Sequence, residues 1–287
     1  MAGLADRDFD AYAPAKWRSN VYNRDRLEVK QKLGALGRAA APTLTGLDGA
    51  PLLLEESTEH PALWNHKQVD AQHVFFSRPA GARRELDTLM ERARSLSTLL
   101  DDPTPQRNHL HLALSLGEAG LDVALRLSPD ATVDRSNLEA KLADPDGRAH
   151  GLALLGALPP GFRLDVVTVA GRLLCVSLAR ALPRVDAIAL GDGLVARVAA
   201  DLAALRPLYT FGAWAPTNDF VSMRATLAED KRARRQRGLA KDDKVRIVRG
   251  VFAGKSGVVQ EIDARGGLRV LVGQVAVKLG ADEVEKG

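Results

Sequence analysis

Three residues near the middle of the chain are of types that could support acid–base chemistry. His109 and His111 lie two positions apart, and Asp122 follows on the next predicted strand. A histidine can serve as a general base or metal ligand when a carboxylate orients its ring. A hydrolytic site at these residues is therefore one hypothesis, and exposed or hydrogen-bonded histidines are the alternative. Because spacing alone does not show convergence, we assign no catalytic residue, metal or cofactor.

A second chemical feature is a basic run that begins at Lys231. Residues 224–255 hold 11 basic and 4 acidic residues, whereas residues 1–223 hold 25 and 27, and residues 256–287 hold 4 and 5. The whole chain carries a net charge of only +4, so the positive field is local. A local positive field favours a polyanionic partner, and a solvated linker is the alternative. The predicted phosphate contacts in this run are Lys231, Arg232, Arg234, Arg235 and Arg237.

The common mechanistic motifs of nucleotide-cofactor enzymes, serine hydrolases and zinc peptidases are absent from the sequence. The segment Gly250–Ser256 reads Gly-x-x-x-Gly-Lys-Ser, one residue short of a phosphate-binding loop. That loop requires a following helix, whereas residues 257–262 are typical of a strand. We therefore predict no nucleotide cofactor.

Cysteine content and hydropathy bear on the compartment. The only cysteine, Cys175, excludes an internal disulfide and a cysteine-cluster zinc site. No stretch of about 18 apolar residues is present, so we predict no membrane partner. A chain without disulfides is typical of a reducing compartment, so the expected location is the cytoplasm.

The elements that must position these residues indicate an α+β domain. Apolar and polar residues alternate over 109–116 and 121–127, on either side of a glycine-containing turn, which predicts a hairpin with one buried face. His109, His111, Asp122 and Arg126 would share its outward face. The mixture of hairpins and helices predicts a largely antiparallel sheet with packed helices. Helices are predicted over 25–41, 86–100 and 194–205, further strands over 162–169, 173–178 and 187–190, and an extended tail over 208–216.

Three short segments of this domain carry a family resemblance. They are Asp8-Phe9-Asp10, Phe76-Ser77-Arg78 and Leu205-Arg-Pro-Leu-Tyr209. In these segments the domain resembles a small bacterial family of YktB-like proteins. The resemblance implies a compact α+β fold and no known chemistry.

A stronger resemblance begins at Lys241. Asp243-x-Val245-x-Ile247-Val248 has the pattern of a first strand, Phe252-Ala-Gly254-x-x-Gly257 that of a turn, and Val258-Val259 opens a second strand. This segment resembles a KOW domain, the small β-barrel of some ribosomal proteins and of transcription elongation and antitermination factors. Apolar residues of the expected interior are Val245, Ile247, Val258, Ile262, Leu268, Val270, Val272, Val275 and Val277.

The KOW resemblance implies contact with RNA or with a protein of the transcription or translation machinery. The residues expected to contact backbone phosphates are Lys244, Arg246, Arg249 and Lys255, with Arg269 as a further candidate. Base stacking is not expected, because Phe252 is the only aromatic residue in this segment.

The predicted organisation is therefore an α+β domain over 1–217, a basic helical connector over 218–240 and a small SH3-like barrel over 241–287. The leading hypothesis is a non-enzymatic factor that binds RNA or a ribonucleoprotein, with the ribosome or the transcription machinery as candidate partners. A hydrolytic enzyme delivered to its substrate by the barrel, and a scaffold that docks other proteins, are the two alternatives.

Overall fold

The computed structural model describes residues 3–42, 44–47, 49–57, 68–83, 86, 108–223, 239–263, 267–280 and 283–286. The chain forms two compact units, Met1–Val221 and Ser222–Gly287. Helices and antiparallel sheets together give the first unit the predicted α+β class, and the second unit is a five-stranded antiparallel sheet compatible with a small barrel. None of the described helices has the length and apolar content needed to cross a membrane.

The first unit is a six-stranded sheet with helices packed against it. The strand order is β1-β2-β3-β4-β6-β5, and every neighbouring pair is antiparallel. The helices are α1 (Asp6–Asp10), α2 (Asn23–Ala40), α3 (Thr132–Ala143), α4 (Pro145–Gly156), α5 (Arg184–Ala189) and α6 (Leu194–Gly212). The strands are β1 (Leu53–Glu56), β2 (Ala71–Ser77), β3 (His111–Gly117), β4 (Gly120–Leu127), β5 (Phe162–Val169) and β6 (Arg172–Pro183).

The predicted hairpin of β3 and β4 is confirmed and forms the centre of this sheet. Leu112, Leu114 and Leu116 point to the helical side and are fully buried. The turn requires glycine, because a Cβ at Gly120 would lie 2.2 Å from the carbonyl oxygen of Leu182 on β6. Alternation of side chains across the strand thus fixes which residues reach the helical core.

Two element predictions in this unit are wrong. Residues 187–190, predicted as a strand, fall largely within helix α5 and the residue that caps it. Helix α6 does not stop before Pro207 but continues to Gly212, so residues 208–212 are helical and not an extended tail. Leu208 and Tyr209 continue the buried stripe of the helix, and this burial outweighs the backbone hydrogen bond that a proline removes.

A buried ion pair joins four parts of the first unit. Arg78, which follows β2, donates to a carboxylate oxygen of Asp134 on α3 at 2.5 Å. The same carboxylate accepts the backbone N–H groups of Leu110, before β3, and Trp214, after α6, each at 2.7 Å. Because both charges are nearly inaccessible to water, each depends on the other and on these amides for solvation.

Residues of the segments that carried the YktB-like resemblance are buried in the first unit or form ion pairs within it. Phe9, Phe76 and Tyr209 are all buried. Asp8 is bound by Lys32 of α2 at 2.7 Å, and Asp10 is bound by Arg184 of α5 at 2.7 Å. Their positions in the fold therefore account for these residues without an active site.

Residues 218–221, which the sequence assigned to the connector, are attached to the first unit. The side-chain amide of Asn218 donates to the carbonyl oxygen of Ala213 at 2.7 Å, and the backbone N–H of Phe220 donates to Asn137 at 2.8 Å. The predicted helix over 86–100 lies outside the described residues except for Leu86, which is buried.

The second unit has its own apolar core. Its strands are β7 (Lys244–Ile247), β8 (Ser256–Ile262), β9 (Leu268–Val272), β10 (Val275–Leu279) and β11 (Val284–Lys286), in the order β10-β9-β8-β7-β11. The buried residues are Val245, Ile247, Val259, Leu268, Val270, Leu279 and Val284. Gly257 permits close strand packing, since a Cβ there would lie 2.5 Å from Cγ1 of Val270.

Part of the predicted interior of this unit is wrong. Ile262 and Val275 are exposed by 38% and 58%, and Val259 is the residue of β8 that is fully buried, in place of the predicted Val258. The pairing of β8 with β9 shifts register between Val259 and Glu261. The bulge accounts for Val258, because alternation read back from Ile262, which pairs with the buried Leu268, assigns Val258 to the wrong face.

Candidate functional site

The hydrolytic hypothesis required His109, His111 and Asp122 to converge, and the structure does not bring them together. His111 is paired in register with Arg126, whereas Asp122 is paired with Ser115. These two cross-strand pairs lie four residues apart along β3, a separation of about 13 Å at the usual rise of a strand. His109 precedes the strand and is buried.

The face that carries His111 is buried and not outward, contrary to the prediction. His111 and Ser115 are each only 4% exposed, and Ala113 and Ala124 between them are inaccessible. His111 packs edge-on against the ring of Phe75, with centroids 5.4 Å apart. Its Nδ1 lies 2.9 Å from the carbonyl oxygen of His109, so the neutral ring donates this bond. Burial lowers the pKa of His111 to about 4.

The same face also carries a polar contact between neighbouring strands. His73 on β2 shares a hydrogen bond of 2.8 Å with the hydroxyl of Ser115, a cross-strand contact that the spacing along the chain could not indicate. Burial raises the pKa of the Asp122 carboxyl, and the charge of Arg126 opposes this shift. No group of three metal-ligating side chains is found among the residues that the structure describes. This arrangement favours a structural role for the histidines.

The predicted phosphate contacts of the second unit lie on β7 and in the loop that follows it. Lys244 and Arg246 alternate with the buried Val245 and Ile247, so both project from the outer face of β7. The loop after β7 folds back, and the backbone N–H of Ile247 donates to the carbonyl oxygen of Lys255 at 2.8 Å. Arg249 lies in this loop. We name these four residues the β7 cationic patch: Lys244, Arg246, Arg249 and Lys255.

The side chains of the β7 cationic patch make no hydrogen bond or ion pair with any residue that the structure describes. All four are exposed. Arg246 is opposite Glu285 of β11 in the strand register, yet the two do not form an ion pair. Four exposed cations on β7 and its loop are therefore available to an external anion.

Two other lysines of this unit have partners within the unit. Lys286 lies 3.0 Å from Asp243 and Lys278 lies 3.7 Å from Asp263. A hydrogen bond from the N–H of Ala240, together with Lys286, lowers the pKa of Asp243, so its carboxylate stays charged beside the lysine. Unlike the cations of the β7 cationic patch, these two lysines therefore have carboxylate partners within the unit.

Two further exposed cations extend the candidate interface. Lys241 precedes β7 and was not among the predicted contacts, although its position in the basic segment could have indicated it. Arg269, the further candidate, projects outward from β9 between Glu261 and Lys278 in the register. The connector residues Lys231, Arg232, Arg234, Arg235 and Arg237 lie outside the described residues.

No family model matches the chain, and no curated protein matches it either. The proposed function therefore rests on the geometry of the two units and on the sequence patterns described above.

Proposed function

We propose that this protein is a non-enzymatic factor that binds the phosphate backbone of RNA, free or within a ribonucleoprotein, through its second unit. The observation that carries the proposal is the β7 cationic patch, whose four side chains have no partner among the described residues. Lysine and arginine side chains that neutralise phosphates release condensed counterions, and this release drives binding. The resemblance of residues 241–263 to a KOW domain supports the same function.

The chemistry of the patch favours backbone contacts over base recognition. Its members are cations, and the only aromatic side chain of the unit, Phe252, packs partly buried against the core. Sequence-independent binding with a strong salt dependence is what such a surface provides. We place the protein in the cytoplasm, because a single cysteine is typical of chains that fold without disulfides.

The test is a salt titration of the full chain against an unstructured RNA, followed by fluorescence anisotropy. Replacing Lys244, Arg246, Arg249 and Lys255 together by glutamine should lower the slope of log affinity against log salt by about 3, at about 0.7 per contact. Affinities should change little between RNAs of different sequence. An equal slope and affinity in the variant and the wild type would contradict the proposal.

A matched pair of double variants separates specific contact from net charge. Arg249→Gln with Lys255→Gln and Lys278→Gln with Lys286→Gln each remove two positive charges. The first pair should lower the slope by about 1.4 and the second pair by much less, because those lysines already have carboxylate partners. Equal effects would mean that only the overall charge matters.

One observation favours a second function, docking to a protein. Val251 at the tip of the loop after β7 is 97% exposed, within the cationic patch. Val248 in the same loop is also exposed, by 37%, so the loop presents two apolar side chains to a protein partner. Val251→Ser should leave the salt slope for RNA unchanged. Failure of the wild type to bind RNA at low salt would leave protein docking as the better interpretation.

A further inference from the structure

The strand β5 forms one edge of the large sheet and is unusually exposed. Leu164, Val166, Val167 and Val169 are exposed by 46%, 51%, 47% and 57%. Among the described residues, β5 pairs only with β6, so the opposite side of its backbone is unpaired. A long apolar edge of this kind is a template for pairing with another strand.

Residues at the two ends of β5 limit the length of the free edge. Pro159 and Pro160 precede the strand and cannot donate backbone hydrogen bonds. At the other end, the β-bulge between Val167 and Thr168 adds its extra residue to β6, and β5 itself continues to Val169. No lysine or proline lies within Phe162–Val169, although these residues commonly protect exposed edges. The free edge is therefore the strand Phe162–Val169.

The charges on this edge are complementary to a second copy of themselves. Arg163 and Asp165 are exposed, lie on the same face of β5 and make no ion pair with the described residues of their own chain. In an antiparallel pairing centred on Leu164, a two-fold axis places Arg163 opposite the partner's Asp165. The same axis places Phe162 opposite the partner's Val166. Opposite charges in directly paired positions stabilise such a strand pair.

We propose that two copies of this chain associate through antiparallel pairing of their β5 strands about a two-fold axis at Leu164. The pairing continues the sheet from one copy into the other and places Leu164 beside the partner's Leu164 and Phe162 beside the partner's Val166. A two-fold contact uses the same surface on each copy, so it closes at the dimer and does not propagate. Because one strand pair buries less area than a permanent dimer interface, we expect a dissociation constant on the order of micromolar.

Sedimentation velocity of the full chain, from about 1 to about 200 µM, tests the proposal. The wild type should shift from monomer to dimer over this range. Arg163→Asp places two carboxylates opposite each other at both contacts, and Asp165→Arg places two guanidinium groups there, so each variant alone should remain monomeric. Arg7→Asp makes the same charge change on the exposed surface of α1 and should leave association unchanged.

Mixing the two variants gives the decisive result. The Arg163→Asp copy carries a carboxylate at both positions and the Asp165→Arg copy carries a guanidinium at both, so opposite charges meet at each contact of a mixed dimer. An equimolar mixture of the two variants should therefore dimerise. The double variant Arg163→Asp with Asp165→Arg should dimerise by itself for the same reason. A wild type that stays monomeric throughout, single variants that associate as the wild type does, or a mixture that stays monomeric would each overturn the proposal.

Discussion

The two units use their basic residues differently. In the first unit, Arg78 is paired with the buried Asp134, and Arg180 and Arg197 both bind Asp201, which is only 2% exposed. In the second unit, the β7 cationic patch is exposed and unpartnered among the described residues. Cations of the first kind connect elements of a fold. Cations of the second kind make no hydrogen bond or ion pair with the described residues, and our proposal assigns them to phosphate binding.

The units also differ in what stabilises them. Buried polar groups of the first unit are bound to charged side chains and backbone amides across several elements. The second unit relies on a small apolar core and on close strand approach at Gly257. Removing a buried charge of the first unit should therefore affect folding, whereas removing charges of the β7 cationic patch should affect binding.

The largest expected effect is on the buried ion pair. Asp134→Asn leaves the charge of Arg78 buried without a counter-charge, which should lower the free energy of unfolding by about 3–5 kcal/mol. Urea unfolding followed by tryptophan fluorescence measures this change, since Trp17, Trp64 and Trp214 all lie in Met1–Val221. Glu139→Gln is the control, because its partner Arg172 is 72% exposed and water screens this ion pair. Equal losses of unfolding free energy in the two variants would contradict the distinction between the buried and the exposed ion pair.

A somewhat smaller effect should appear as a pH dependence of the first unit. The pKa of His111 is lowered from 6.5 to about 4, so the unfolded chain takes up its proton at a higher pH than the folded chain does. Its contribution to stability is complete above pH 6.5 and is lost as the pH falls towards 4. The loss is up to about 3 kcal/mol.

Comparison with a variant isolates this histidine from the carboxylates that also titrate in acid. His111→Asn keeps an N–H donor near the position of Nδ1 and removes the titration. The difference in unfolding free energy between wild type and variant should therefore shrink or reverse between neutral pH and a pH near the lowered pKa of His111. A constant difference would show that His111 does not titrate in this range. The second unit has no histidine in its sequence, so its stability should show no loss from histidine protonation.

The smallest expected effect is on the stability of the second unit. Arg249→Ala and Lys255→Ala remove side chains that have no partner among the described residues, so the free energy of opening should stay within about 0.5 kcal/mol of the wild type. Amide hydrogen exchange at Val259 and Val270, in the core of this unit, measures it. A loss above about 1 kcal/mol would mean that the patch has a structural role.

Much of the fold could be predicted from alternation and helical spacing. The hairpin of β3 and β4, helix α2 and the strands of the second unit all follow from local patterns. Predictions failed where a local rule met a tertiary contact, as at Pro207, where buried Leu208 and Tyr209 carry the helix onward. The wrong prediction for Val258 has a similar cause. The bulge after Val259 is visible only in the pairing of β8 with β9 and not in the sequence of β8 alone.

The sequence by itself determined the α+β class, the separate basic segment and the candidate cations of β7, since composition and period-two alternation are local properties of the chain. Only the tertiary structure decided that His111 and Asp122 do not meet, and that His73 contacts Ser115. It also decided which cations have carboxylate partners and that β5 is an edge strand. These outcomes depend on strand register and order, which bring together residues far apart in the chain.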